Sequence, residues 1–192
     1  MPPYCRGFRI MKIENLDLSE VKLLEPEVFG DARGYFFESY NATQFSLAAG
    51  QEINFVQDNE SRSKKGVLRG LHYQLPPFAQ AKLVRVVSGA ILDVAVDIRR
   101  SSKTFGKYVS AVISDENKKQ IWIPEGFAHG FLALSNDTII CYKTTNYYSK
   151  AHERSINYKC SDLNIAWPQS GDITISEKDG AAPSFSSAEV FD

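Results

Sequence analysis

Apolar residues fall into short runs along most of this chain, with turn-forming residues between them. Leu83–Val87 and Ile91–Ile98 are rich in β-branched residues and are separated by Ser88-Gly89-Ala90, a turn-like break. Within Ile91–Ile98, Asp93 and Asp97 share one parity with Ala95, while Leu92, Val94, Val96 and Ile98 share the other. Further apolar runs follow at Tyr108–Ser114, Gln120–Ile123, Gly130–Leu134 and Thr138–Thr145. Asp115-Glu116-Asn117, Pro124-Glu125-Gly126 and Ser135-Asn136-Asp137 mark the turns between them. Many short strands at this spacing predict an all-β sandwich or barrel. Helical periodicity is scarce. Asn41–Ala49 predicts a short helix, with Phe45 and Ala48 or Ala49 on one face and Gly50 as its stop. From about Gly171 the chain is polar and turn-rich, with Pro183 and several serines.

Composition narrows the class. The chain has 192 residues, 43% apolar and 23% charged, with a formal net charge of −1. That is ordinary globular composition for one domain, expected to span residues 11–192. The balance of charge gives no reason to expect nucleic acid or an anionic membrane surface as a partner. No stretch approaches the roughly 18 consecutive apolar residues of a membrane-spanning helix. Residues 1–10, with Pro2-Pro3, Arg6 and Arg9, read as a disordered leader without a signal-peptide core. Cys5, Cys141 and Cys160 show no metal-ligand spacing and read as reduced thiols of a cytoplasmic protein.

Chemistry-bearing residues gather in two clusters. One is Gly66-Val-Leu-Arg69-Gly-Leu-His72-Tyr-Gln74, followed by Lys82 and Gly89; the other is Pro124-Glu-Gly126-Phe-Ala-His129-Gly130. Their spacing resembles the two signature motifs of the cupin family. The resemblance implies a jelly-roll barrel of two antiparallel sheets, with few short helices and a site in its mouth. Two metal-ligand positions of that motif are changed, the second His to Gln74 and the Glu to Lys82. A protonated lysine has three donors and no lone pair, so it repels a divalent metal. Two imidazoles fall short of the three or four protein ligands that zinc usually takes. The expectation is therefore a site with no metal and no cofactor, holding a base, a cation and a second histidine. Such a set suits removal of a proton from carbon beside a carbonyl.

A longer resemblance covers about Met11 to Pro183. Asp31-Ala-Arg33-Gly34-Tyr-Phe36-Phe-Glu38, Gln57-Asp-Asn59-Glu-Ser61-Arg-Ser63, Gly66–Gln74 and Phe127-Ala-His129-Gly-Phe131 occur in order. Tyr142-Lys-Thr-Thr, Tyr148, Trp167-Pro168 and Ser176-Glu-Lys178-Asp179 follow. The ordered set is similar to the dTDP-4-dehydrorhamnose 3,5-epimerase family. It implies inversion of carbons 3 and 5 of dTDP-4-dehydro-6-deoxy-D-glucose, a step of dTDP-L-rhamnose biosynthesis. Each of those carbons flanks the carbon 4 ketone. Proton removal leaves an enolate, so the chemistry needs a base, a group at the oxygen and an acid on the far face.

By this resemblance His72 is the base, Asp179 its carboxylate partner, Lys82 the cation near the oxyanion and Tyr142 the proton donor. Strand alternation puts Ile140, Tyr142 and Thr144 on one side, consistent with an inward tyrosine. His129 matches a sugar-contacting histidine and Arg69 a diphosphate contact. Arg33, Glu38, Gln57, Asp58 and Asn59 match nucleotide-binding positions, and Glu153 and Lys178 further substrate contacts. The Arg33 segment commonly crosses to a partner subunit in this family, which implies a homodimer. Strict alternation would put Arg69 and His72 on opposite faces, so a shared site requires a bend, which Gly70 permits. Cys160-Ser161 replaces an Asp-Pro pair usual in the family.

Bland readings stand beside these. A lone histidine in a β core is more often structural than a base, His129 could simply bridge two strands, and His152 reads as surface. Tyr147 and Tyr148 read as a structural aromatic pair, with Tyr148 bordering the sugar site. Lys64-Lys65 and Lys118-Lys119 read as solvated turns. Three other functions fit parts of the sequence. A single-centre epimerase of a related keto sugar would differ in pocket shape, at residues such as Phe131 and Tyr148. A metal cupin is opposed by Lys82 and Gln74, and a pure binding module would need neither base nor acid.

Overall fold

The computed structural model describes residues 11–168 and 172–192. The expected leader, with Cys5, lies outside the described residues. The chain runs β1 (Lys12–Asn15), β2 (Lys22–Glu25), β3 (Phe29–Asp31), β4 (Gly34–Phe36), helix α1 (Ala42–Ala49), β5 (Gln57–Ser63) and β6 (Leu68–Gln74). Then come β7 (Lys82–Ser88), β8 (Ala90–Asp97), β9 (Tyr108–Ser114), β10 (Gln120–Ile123), β11 (Phe127–Ala133), β12 (Thr138–Thr144) and β13 (Glu153–Ser155). A short helix α2 (Glu177–Gly180) and a 3-10 turn at Phe185–Ser187 lie in the tail. A six-stranded sheet, β1-β2-β10-β7-β12-β5, faces a five-stranded sheet, β13-β6-β11-β8-β9. The strand ladders of both are antiparallel. This is the cupin-type jelly roll that the sequence implies.

Alternation explains which residues close the barrel. Val84 and Val86 of β7, Ile121 and Ile123 of β10 and Ile140 of β12 point inward from one sheet, meeting Ile91, Ala95 and Phe131 from the other. The opposite parity of β8, Val94 and Val96 with Ile98 beyond, packs outside the sheet against Leu71, Tyr73, Ile156, Leu163, Ala188 and Val190. The tail therefore covers the outer face of the five-stranded sheet, and β8 is buried on both sides. Cys160 joins this layer, its Sγ accepting the Phe185 amide at 3.2 Å, so the thiol that replaces the usual aspartate still ties this loop to the tail.

Helix α1 forms as expected. Asn41 caps it by accepting the Gln44 amide, Gly50 ends it with φ +74°, and Phe45 and Ala48 are buried. They pack with Leu24, Leu83 and Trp122 on the outside of the six-stranded sheet. The expected strand Gly130–Leu134 is longer, Phe127–Ala133, because pairing with β8 begins directly after the Pro124-Glu125-Gly126 turn.

Asp93 and Asp97 both face inward, but only Asp97 is built into a closed network. It accepts from the Arg99 guanidinium at 2.9 and 2.8 Å, from Ser102 at 2.6 Å and from Thr104 at 2.7 Å. Burial opposes its ionisation, yet those donors hold its pKa down to about 2. Asp97 therefore anchors a barrel corner.

The β6–β11 ladder carries the bend that the sequence requires. His129 pairs with His72 and Phe131 with Arg69, so one extra residue of β6 is accommodated between them. This β-bulge flips the alternation, and Arg69 and His72 face the same side. A Cβ on Gly70 would lie 2.5 Å from Gly130 Cα and 2.7 Å from His129 O, and Gly70 has φ +125°. Both obstacles are backbone and cannot swing away. Gly70→Ala is therefore expected to destabilise the fold by on the order of 3 kcal/mol, from positive-φ strain and overpacking together. Urea unfolding checks this; a midpoint equal to wild type would contradict it.

Candidate active site

A cavity of about 420 Å³ opens between the sheets, lined by Arg69, His72, Lys82, His129, Phe131, Tyr142 and Asp179 among others. A second lobe of about 170 Å³ shares His72, Lys82 and Tyr142 and adds Gln57, Asn59, Gln74, Tyr148 and Glu153. The cross-strand partners His72 and His129 belong to the five-stranded sheet. Lys82 and Tyr142 come from the adjacent strands β7 and β12 of the six-stranded sheet. Imidazoles thus face an ammonium and a phenol across the space where a ligand would lie.

The tail brings a carboxylate to His72. Leu68 donates to Thr174 O and Thr174 to Gly66 O, both at 2.9 Å, which lays the tail beside the start of β6. Ser176 then caps α2 by accepting the Asp179 amide at 3.1 Å. Asp179 arrives buried, 2.6 Å from His72 Nε2. Burial alone would raise the Asp179 pKa, but hydrogen bonds from His72, Ser176 and the Gly70 amide hold it below the usual carboxylate value. An ionised carboxylate only accepts, so Nε2 carries the imidazole proton. The Nδ1 lone pair is left free to take a proton from a ligand.

Lys82 is the cavity's cation. Burial drives its pKa from 10.5 down to about 8, and Asp93 and Glu153 oppose the fall. His129 Nε2 lies 2.9 Å from Asp93 Oδ2. Burial also lowers the His129 pKa, against the pull of Asp93, so this imidazole is neutral and donates to the carboxylate. Asp93 is 0% exposed, and its Oδ1 is buried with no hydrogen-bond partner among the described residues. From this interior position Asp93 acts on Lys82 electrostatically. Sequence reasoning missed Asp93, although its parity, polar on the inward face of an otherwise apolar strand, was a usable signal.

Tyr142 keeps its proton, because burial raises its pKa while Arg69 offsets part of the rise. Arg69 reaches Ser63 Oγ and Arg62 O, each at 3.2 Å, which aims its guanidinium along the cavity rim. At the smaller lobe Glu153 receives Lys178 at 2.5 Å and the Tyr148 hydroxyl at 2.9 Å. Burial works against the Glu153 carboxylate, but these two donors hold its pKa below the ordinary value.

Other expected positions lie elsewhere. Gln57 and Asn59 line the smaller lobe, but alternation turns Asp58 to the opposite face of the sheet, where it meets Lys143 at 2.8 Å. Arg33 sits on the β3–β4 hairpin with its side chain 90% exposed, paired to Asp31 at 2.6 Å. Glu38 is held by Gln44 at 3.3 Å near the start of α1. Within one chain neither lines the cavity. His152, expected at the surface, is half-buried, stacked 4.6 Å from the Phe78 ring and 2.8 Å from Ser149 Oγ. Among the described residues no group of three or more His, Cys, Asp or Glu side chains is placed to hold a metal ion.

Fold and site together define an isomerase that moves protons. The profile of the dTDP-4-dehydrorhamnose 3,5-epimerase family matches residues 15–187, and the chain belongs to that family. A dTDP-4-dehydrorhamnose 3,5-epimerase of Shigella flexneri is 52% identical over 181 residues, covering 94% of this chain and 99% of the relative. A Legionella pneumophila dTDP-6-deoxy-D-glucose-3,5-epimerase, solved with dTDP-4-keto-L-rhamnose, superposes with a TM-score of 0.90 at 48% identity, over 92% of this chain and 94% of the other. A 3'-monoepimerase of Streptomyces bikiniensis, solved with dTDP-quinovose, gives 0.85 at 34% identity, over 90% and 87%.

The Lys82 environment yields a direct check. NMR titration of its side-chain amine should show a midpoint near pH 8. Asp93→Asn, which removes the opposing charge, should move the midpoint lower. A wild-type midpoint near 10.5, or no movement in the variant, would contradict this electrostatic account.

Proposed function

We propose that this protein epimerises dTDP-4-dehydro-6-deoxy-D-glucose at carbons 3 and 5, giving dTDP-4-dehydro-L-rhamnose. The placement of His72 and Tyr142 on opposing sheets around one cavity carries this reading. His72 Nδ1 removes the proton beside the ketone while Asp179 supports the imidazolium that forms. Lys82 stabilises the enolate oxygen, a contact of the kind worth roughly 3 kcal/mol in the transition state. Tyr142 returns a proton from the far face, which inverts the carbon. The same set serves carbon 5 and carbon 3 because both flank one carbonyl. His129, held by Asp93, contacts the sugar.

The nucleotide end follows the polar rim. Arg69 takes the diphosphate, since a guanidinium fork matches phosphate geometry. Gln57, Asn59 and Glu153 contact substrate from the smaller lobe and Lys178 from the larger. Arg33 and Glu38 act in a homodimer, reaching a partner's site. The hairpin supports this, for Phe29, Tyr35 and Phe36 stand exposed on it beside Arg33. No helix among the described residues is long and apolar enough to cross a membrane, and we place the enzyme in the cytoplasm.

The single-centre alternative has a specific observation behind it, the likeness to the monoepimerase, at lower identity than to the two-centre enzymes. Product analysis separates the two. Wild-type protein should convert the substrate to the L-rhamno keto sugar, and His72→Asn should lower kcat by roughly a thousandfold while circular dichroism stays native. A product inverted at one carbon would favour the alternative, and full activity in His72→Asn would overturn the role of His72. Turnover should also fall as pH rises through about 8, where Lys82 loses the proton that makes it a cation. A profile flat to pH 10 would remove Lys82 from the mechanism.

A further inference from the structure

The loop joining β12 to β13 carries Tyr147 and Tyr148, the second lining the smaller lobe, yet apolar burial does little to hold it. Tyr147 is 62% exposed and Tyr148 56%. Hydrogen bonds fix it instead. The Gln74 amide nitrogen donates to Phe78 O at 2.6 Å and Tyr147 O at 3.1 Å, and its oxygen accepts from the Ser149 amide at 2.6 Å. Gln74 is only 4% exposed and its two N–H donors and carbonyl oxygen are all in use. The reversed amide would set oxygen against two carbonyls and nitrogen against an N–H, so the network admits one orientation. Gln80 adds a tether to Asn146 O at 2.7 Å.

Tyr148 lies between the residues that Gln74 grips. Its amide reaches Gln57 Oε1 at 3.1 Å and its hydroxyl Glu153 Oε2 at 2.9 Å. Glu153 is also the cross-strand partner of Gln74 in the β13–β6 ladder. Gln74 shares the inward face of β6 with His72, at the position where the metal motif would put its second imidazole.

We propose that Gln74 is a positioning residue, whose side-chain amide clamps the 147–149 turn and so seats Tyr148 over the substrate mouth. The proposal rests on the reading of this cavity as the epimerase site. An apolar side chain at position 74 would leave two part-buried carbonyls and an N–H without their partners, and the turn would move to rehydrate them. The reacting groups His72, Lys82 and Tyr142 would stay in place.

The test is a double-mutant cycle. Gln74→Met should raise KM by about tenfold, the scale expected when a preordered loop must be ordered on binding, and leave kcat within about threefold. Tyr148→Ala should raise KM similarly, and the double variant should be no worse than Tyr148→Ala alone. Gln80→Leu, which cuts the Asn146 tether at the edge of the same lobe, should shift KM in the same direction by less, and reads the loop even if Gln74→Met does not fold. Additive KM effects, a kcat loss at unchanged KM, or an unchanged KM in both Gln74→Met and Gln80→Leu would overturn the proposal. The same proteins are titrated with dTDP. Wild type that binds dTDP but does not convert the keto sugar overturns the epimerase reading alone. The clamp is then judged by additivity in dTDP affinity, non-additive changes supporting it and additive ones overturning it. Wild type that neither converts the sugar nor binds dTDP overturns both.

Discussion

At Gly70 and Gly130 the backbones of β6 and β11 approach so closely that neither strand has room for a Cβ. That close approach holds the bulge, and the bulge decides which way β6 points its side chains. Leu68 faces the outer layer and Arg69 the cavity; beyond the bulge Leu71 and Tyr73 face outward and His72 inward. Regular pairing would put the Arg69 guanidinium and the His72 imidazole on opposite sides of a sheet. The shift brings them into one cavity at the cost of an irregular ladder. The tail depends on the same place, because Asp179 accepts the Gly70 amide as well as His72.

The barrel interior shows how buried charge is kept usable. An unpaired ion there would cost several kcal/mol or titrate away. Asp179 is paired to His72, which helps hold its carboxyl pKa down, and Asp93 Oδ2 to His129; each imidazole is fixed in one tautomer. Lys82 has no such direct pairing and its pKa falls to about 8, which leaves it charged at neutral pH but only just. A cation held that way is poised to gain most when negative charge develops on a nearby oxygen. Replacing a motif carboxylate by Lys82 and a motif imidazole by Gln74 therefore changes the chemistry of the barrel. The motif's metal ligands are replaced, and the side chain at position 74 hydrogen-bonds the backbone of Phe78, Tyr147 and Ser149 instead.

Much of this was legible in the sequence, for identifiable reasons. Strands β7 to β12 announce themselves through β-branched runs, because they are buried and bounded by turns. Helix α1 is marked by its cap, its stop and Phe45. Strand β5 is silent, since Gln57–Ser63 is polar on both faces and only its pairing with β12 makes it a strand. The need for a bend at Gly70 followed from parity once the resemblance put Arg69 and His72 in one site; its register needed the pairing partner. Resemblance supplied His72, Lys82, Tyr142 and Asp179, which the fold gathers. It did not say that Asp58 turns away, which alternation along β5 decides, or that Arg33 and Glu38 lie outside the cavity of their own chain. Asp93 was overlooked because a buried aspartate reads as structural, as its neighbour Asp97 is.

On the proposed mechanism, one base, one cation and one acid in a single cavity exchange the protons on both carbons beside the ketone. Proton NMR of dTDP-4-dehydro-6-deoxy-D-glucose with the protein in D₂O tests it most directly. Both the carbon 3 and carbon 5 proton signals should be lost as solvent deuterium enters. Exchange at one carbon alone would restrict the site to a single centre, and no exchange from folded protein would contradict the account.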